Sequence, residues 1–206
     1  MNLGELENMA KYDQEVKLLF NRINISSYDD FVSCVNADLD HCVVMLQDKA
    51  KYLQPGKNGE DQVSATLALI LEGMLYSVSS CFMKGGNTDL TIKARNFSYT
   101  WIGEAKLVTG VNNPHLWGGF EQLTTRYTSG DFNNGGLLVY IFSKDALGIM
   151  ESFKAYTEQK NDYNFKYKNC QTRKAGGFYT THVHAASGLD FKTRYIPVIL
   201  NHEPLK

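Results

Sequence analysis

The sequence predicts a mixed α/β fold, a β-sheet core flanked by helices with a helical N-terminal extension, and three observations carry that prediction. Roughly the first 53 positions read as helical, with apolar residues at the three-to-four spacing of an amphipathic helix from Phe31 to Leu46. Two short β-prone segments, 88–94 and 99–108, are joined by a polar turn around Asn96 and read as a hairpin. The run Leu137-Leu138-Val139-Tyr140-Ile141-Phe142 is continuously apolar, as expected of a strand buried on both faces. The order helix, strand, strand, helix, strand belongs to a mixed α/β core. Residues 1–55 form the extension in this reading, and residues 56–206 the main domain.

The elements follow in order. Leu18, Leu19 and Phe20 lead to Ile23, and Ile25-Ser26-Ser27 breaks the helix. Ser27 with Asp30 three residues on is an N-terminal signature, and Phe31, Val35, Leu39, Val43 and Leu46 give the next helix its apolar stripe. Gln54-Pro55-Gly56-Lys57-Asn58-Gly59 is turn chemistry. Val63, Leu67, Ile70, Leu71, Met74, Leu75 and Val78 predict a largely buried helix to about Cys81, ended by Lys84-Gly85-Gly86-Asn87. After the hairpin, Gly110 to Pro114 reads as a loop, and Leu116, Phe120, Leu123 and Tyr127 as a short helix. Residues 145–160 look helical. Phe178–Ala185 and Phe191–Leu200 form a closing strand pair that turns at Ser187-Gly188. There is no internal repeat.

Composition sets the frame. A chain of 206 residues with 43% hydrophobic and 21% charged content has enough apolar material for a packed core. The net charge of −1 means that a nucleic-acid partner would have to be met by a local basic patch, a metal ion or a second subunit. Cys34, Cys42, Cys81 and Cys170 are scattered and form no CxxC pair, which argues against a zinc finger. The N-terminal segment has no apolar h-region, and the longest apolar stretch, Ala65–Val78, is too short to span a bilayer. A reduced, cytoplasmic protein without a membrane partner is expected.

The chemistry concentrates on the hairpin. Residues two apart on a strand share a face, so Glu104 and Lys106 point the same way. A turn centred between Asn96 and Phe97 sets Asp89 opposite Glu104, and opposed residues project to one face. Two adjacent carboxylates repel unless a positive charge lies between them. A divalent cation with oxygen ligands, Mg²⁺ or Mn²⁺, answers that need, and the Ala105 carbonyl could join the ligands. Such a site suits phosphodiester hydrolysis, with Lys106 orienting the water or neutralising developing charge. The plain alternative is a solvated sheet face.

Thr88-Asp89 followed by Glu104-Ala105-Lys106 resembles the signature of the PD-(D/E)XK nuclease superfamily, the restriction-endonuclease-like nucleases. Thr88 stands where proline is common. Glu60 resembles the acidic residue on the preceding core helix, and Gln122 to Tyr127 resembles the Gln/Tyr helix of RecB-like members with one extra residue between the two. The resemblance covers roughly residues 59–143. It implies a metal-dependent nuclease, with DNA expected ahead of RNA as the substrate, of the kind found in restriction and anti-phage defence systems. Asp89, Glu104, Lys106 and Gln122 would be catalytic, with Glu60, Asp89, Glu104 and Ala105 at the metal. The alternative is a non-catalytic interaction subunit that keeps the architecture and works with a partner protein or a second copy of itself.

Other residues also bear on chemistry. His182-Val183-His184 places two imidazoles on one side of a strand, either as metal ligands or as ordinary packing. Lys192 and Arg194 alternate on a strand, either as a local basic patch or as a solvated face. Asn112-Asn113-Pro114-His115 reads as an active-site loop with a proton-carrying His115, or as a plain connection. Trp101, Trp117, Phe120 and Tyr127 suit core packing better than base stacking. No GxGxxG, P-loop or GxSxG is present, so neither a nucleotide cofactor nor a serine nucleophile is indicated.

Overall fold

The computed structural model describes residues 2–54, 56, 58–80, 88–126 and 132–202. Seven strands, β1 (Tyr76–Ser80), β2 (Leu90–Ala94), β3 (Thr100–Val108), β4 (Asn134–Ile141), β5 (Lys166–Asn169), β6 (Phe178–Val183) and β7 (Asp190–Ile199), form one mixed sheet. Its order is β1-β2-β3-β4-β7-β6-β5. The central trio β3, β4 and β7 is parallel, and the flanking strands pair antiparallel.

Helices cover both faces. On one side lie α3 (Tyr28–Asp48) and α4 (Gly59–Gly73), on the other α5 (Asn113–Glu121) and α6 (Ala146–Glu158). Strand β4 is buried along its whole length and divides its side chains between two cores. Leu138 and Tyr140 join Phe31, Leu39, Leu67 and Trp101, while Leu137, Val139 and Ile141 join Phe120, Phe153 and Tyr195. This is the two-sided burial expected of its apolar run. Helices α1 (Leu3–Met9) and α2 (Gln14–Ile23) complete the N-terminal part. Ser27 caps α3 by accepting from the Asp30 N–H, as its spacing predicts.

The hairpin register is the one the turn predicts. Leu90 faces Gly103 and Lys93 faces Thr100, so one step further Asp89 stands opposite Glu104.

Elsewhere the structure differs from the sequence reading. Helix α4 stops at Gly73, not near Cys81, and β1 follows from Tyr76. Leu75 adopts φ 69° at the junction. The apolar count through Val78 cannot tell a helix from a buried strand, and Ser77, Ser79 and Ser80 contribute little helix propensity. Strand β5 has no apolar alternation and was not expected. Helix α5 begins at Asn113, inside the expected loop, because Asn112 caps it by accepting from His115 N–H and Pro114 suits its first turn. It passes into a π-helical turn, Gln122–Arg126. Cys81, Lys84-Gly85-Gly86-Asn87, Tyr127 and the side chain of Arg126 lie outside the described residues.

Candidate active site

Strand β2 starts at Leu90, whereas β3 runs on to Val108, so the last residues of β3 have no β2 residue beside them. Backbone N–H groups exposed in this way need acceptors. Two carboxylates supply them. Asp89 Oδ2 accepts from Ala105 N–H at 2.8 Å, and Glu60 Oε2, in the first turn of α4, accepts from Leu107 N–H at 2.6 Å. The acidic residues are therefore drawn to this place by the backbone as well as by chemistry.

Glu104 and Lys106 lie on the α5 side of β3. The Lys106 ammonium donates to Glu104 Oε1 at 2.6 Å and to the Ala105 carbonyl at 2.9 Å, and stands 3.9 Å from Glu60 Oε1. Gly119 of α5 lets the lysine lie flat, since a Cβ there would come within 2.8 Å of Lys106 Cγ and 2.9 Å of Leu137 Cδ1. Glu104 is 3% exposed. Burial pushes its carboxyl up to about 7; the hydrogen bond from Lys106 opposes this, and the charges of Asp89 and Glu60 add to it. Burial also raises Glu60, against the pull of Lys106. Burial alone would lower Lys106, but the hydrogen bond and charge of Glu104, with Glu60 and Asp89, outweigh it and hold the ammonium firmly charged.

The predicted residues Glu60, Asp89, Glu104, Ala105 and Lys106 thus come together at one opening of the sheet. Gln122 opens the π-helical turn that packs against β3 and β4, and its Oε1 is buried without a hydrogen-bond partner among the described residues. Among the described residues no three His, Cys, Asp or Glu side chains converge as a ready metal group. The donor set still fits a hard divalent cation. Glu104 Oε2 is buried and without a partner among the described residues, and Lys106 already sets a positive charge on two of the expected ligand atoms, Glu104 Oε1 and the Ala105 carbonyl. A metal binding here would have to displace that ammonium.

His115 is the residue that the sequence offers either as a proton carrier in an active-site loop or as part of a plain connection. Exposed at the start of α5, it is close enough to Glu60 for its charge to lower that carboxyl. Only the Asn-Asn-Pro cap signal preceding it could have placed it on a helix.

The remaining candidates lie elsewhere. His182 and His184 are 4% and 2% exposed. His182 sits among the rings of Phe120, Tyr163, Phe165 and Phe191, at centroid distances of 5.3 to 5.8 Å, and burial brings it down to about 4. His184 lies 3.0 Å from the Thr124 carbonyl and 3.2 Å from Ser187 Oγ. The pair is packing. Arg194, expected on a solvated face or basic patch, is 2% exposed and bound to Asp40 of α3 at 2.7 and 2.8 Å. Trp101 and Phe120 are core residues. No helix among the described residues is long and apolar enough to cross a membrane. No protein-family model, no curated protein and no solved structure matches the chain.

Proposed function

We propose that the chain is a divalent-cation-dependent phosphodiesterase that hydrolyses nucleic acid, with DNA the expected substrate, on a restriction-endonuclease-like core. One observation carries this reading: Glu60, Asp89 and Glu104 surround Lys106 where β3 outruns β2. Asp89, Glu104 and the Ala105 carbonyl would hold Mg²⁺ or Mn²⁺, with Glu60 beside them. When bound, the cation supplies Lewis-acid polarisation of a phosphoryl oxygen and a more acidic water. Lys106, released from Glu104, offers its ammonium to charge developing on the phosphate. Gln122 presents an unpaired acceptor from the π-helical turn, a distortion often found at functional sites.

The test is cleavage of plasmid and oligonucleotide substrates with Mg²⁺ or Mn²⁺, with EDTA, and with Lys106→Ala. Cutting should require the cation and the lysine, and cutting that survives both controls rejects the assignment.

A second reading is supported by the same cluster. Asp89 and Glu60 each give one oxygen to a backbone N–H, and Lys106 neutralises Glu104, so the group is largely self-satisfied without any metal. That suits an interaction subunit that keeps the architecture without the chemistry. Calorimetric titration with Mn²⁺ separates the two, because only the hydrolase needs metal binding that is lost in Asp89→Asn.

A further inference from the structure

On the α3 side of the sheet, far along from the carboxylate cluster, the β5–β6–β7 end borders a cleft of about 720 Å³. Strand register sets its floor. Lys166, Thr181 and Lys192 form one cross-strand row, and Lys168, Tyr179 and Arg194 form the next. The Arg194 guanidinium lies 5.6 Å from the Tyr179 ring centroid and reaches Asp40 of α3, which fixes this face as the one turned to α3. Four cations therefore line the cleft against two anions, Asp29 and Asp40, on the α3 wall, a local excess of two positive charges on a chain of net charge −1.

Those charges are not equivalent. Arg194 and Arg173 share Asp40, so that carboxylate is neutralised. Lys166, Lys168 and Lys192 are exposed and have no ion-pair partner among the described residues. The Arg194 Nε–H, at the buried edge of the cleft, lacks an acceptor among the described residues. Along a strand, residues two apart are about 7 Å from each other, and strands two apart are about 10 Å from each other. A single phosphate leaves part of such a grid unpaired, whereas a chain of two or three can engage all three lysines at once. The volume lies in the range of small-ligand pockets, about 300 to 1,000 Å³. The exposed carboxylate of Asp29 on the opposite wall disfavours a continuous polyanionic strand running through.

We infer that this cleft binds a small ligand with two or more linked phosphates, of the size of a nucleoside triphosphate. The inference is independent of the proposed hydrolase. Lys166, Lys168 and Lys192 hold the phosphates by charge and hydrogen bonds, and Thr181 offers a hydroxyl between two of them. Cys170, 7% exposed on the cleft wall with its Sγ 3.5 Å from Arg194, is a built-in reporter.

The test is calorimetric titration of the full chain in EDTA, which keeps the carboxylate cluster free of metal, with adenosine triphosphate, inorganic tripolyphosphate, orthophosphate and a 12-nucleotide single strand as separate probes. Adenosine triphosphate and tripolyphosphate should bind at least tenfold more tightly than orthophosphate. Lys166→Ala and Lys192→Ala, both at exposed positions, should each weaken them at least fivefold with unchanged circular dichroism. Asp89→Asn should leave them unaltered, and bound triphosphate should slow iodoacetamide labelling of Cys170. The inference is overturned if neither polyphosphate binds below 1 mM, if binding ignores the lysine substitutions, or if the oligonucleotide binds more tightly than both through the same lysines.

Discussion

The ammonium of Lys106 lies 2.6 Å from Glu104 Oε1, so a buried carboxylate and a buried lysine two residues apart on one strand neutralise each other. Removing one member of such a pair leaves an uncompensated charge, at a cost of about 3 to 5 kcal/mol. Lys106→Met should therefore lower unfolding free energy by about 3 kcal/mol in denaturant titrations. Lys106→Met with Glu104→Gln should recover most of it. A double variant no more stable than the single would show that the pair carries little of this energy.

Cation affinity should respond in the opposite direction. Lys106 occupies Glu104 Oε1 and the Ala105 carbonyl, both proposed ligand atoms. Under the proposed hydrolase, Lys106→Met should bind Mn²⁺ at least as tightly as the parent while cleaving more than 100-fold more slowly. Equal losses of binding and of cleavage would argue that the lysine supports the site rather than competing for it.

Asp89 separates a structural task from a chemical one. Asp89→Asn keeps an acceptor for the Ala105 N–H, and Asp89→Ala removes it. Stability should fall by about 1 to 2 kcal/mol in the alanine variant and much less in the asparagine variant. Mn²⁺ binding should be lost in both, as read by calorimetry.

Gly119→Ala tests how closely α5 confines the lysine. The new methyl would meet Lys106 Cγ and Leu137 Cδ1 within 3 Å, and overpacking of this kind costs about 1 to 3 kcal/mol. Cleavage should drop more than the small stability loss explains, because the ammonium is displaced. The neighbouring Gly118, with open space around its Cβ position, should accept alanine without effect on cleavage.

Acid stability should depend on His182. Its folded-state pKa is lowered from 6.5 to about 4 by burial, so the unfolded chain takes up a proton that the folded chain refuses. The stabilising effect is complete above pH 6.5 and is lost as pH falls from there towards 4. At about 1.4 kcal/mol per pH unit it amounts to roughly 3 kcal/mol. His182→Phe should flatten stability against pH across that window, as followed by thermal denaturation. An unchanged slope would assign the acid sensitivity to other groups.

Much of the site could be read in advance because its determinants are local. The turn at Asn96-Phe97 sets a hairpin register that puts Asp89 across from Glu104, and period two puts Lys106 beside it. Ser27 announces α3, and six consecutive apolar residues announce β4. The rest depended on partners distant in sequence. Nothing near Lys166-Tyr167-Lys168-Asn169 marks a strand, which exists because β6 offers it an edge. Tyr76 to Ser80 reads as helix until β2 is there to pair with it. That β7 lies between β4 and β6 is a matter of topology, and with it comes the burial of Arg194 against α3. Nor does the spacing of Glu60 reveal that it accepts from Leu107 N–H.

The overhang of β3 past β2 has an evolutionary corollary. Positions 60 and 89 are fastened to main-chain amides, so a descendant that gave up hydrolysis would still be selected to keep acceptors there. Positions 104 and 106 are joined side chain to side chain and could drift together towards an apolar couple, with Glu60 losing only a more distant cation at 3.9 Å. In any set of relatives, joint retention of the 104–106 pair, rather than of acidic residues at 60 or 89, would therefore mark the lineages still under selection for chemistry.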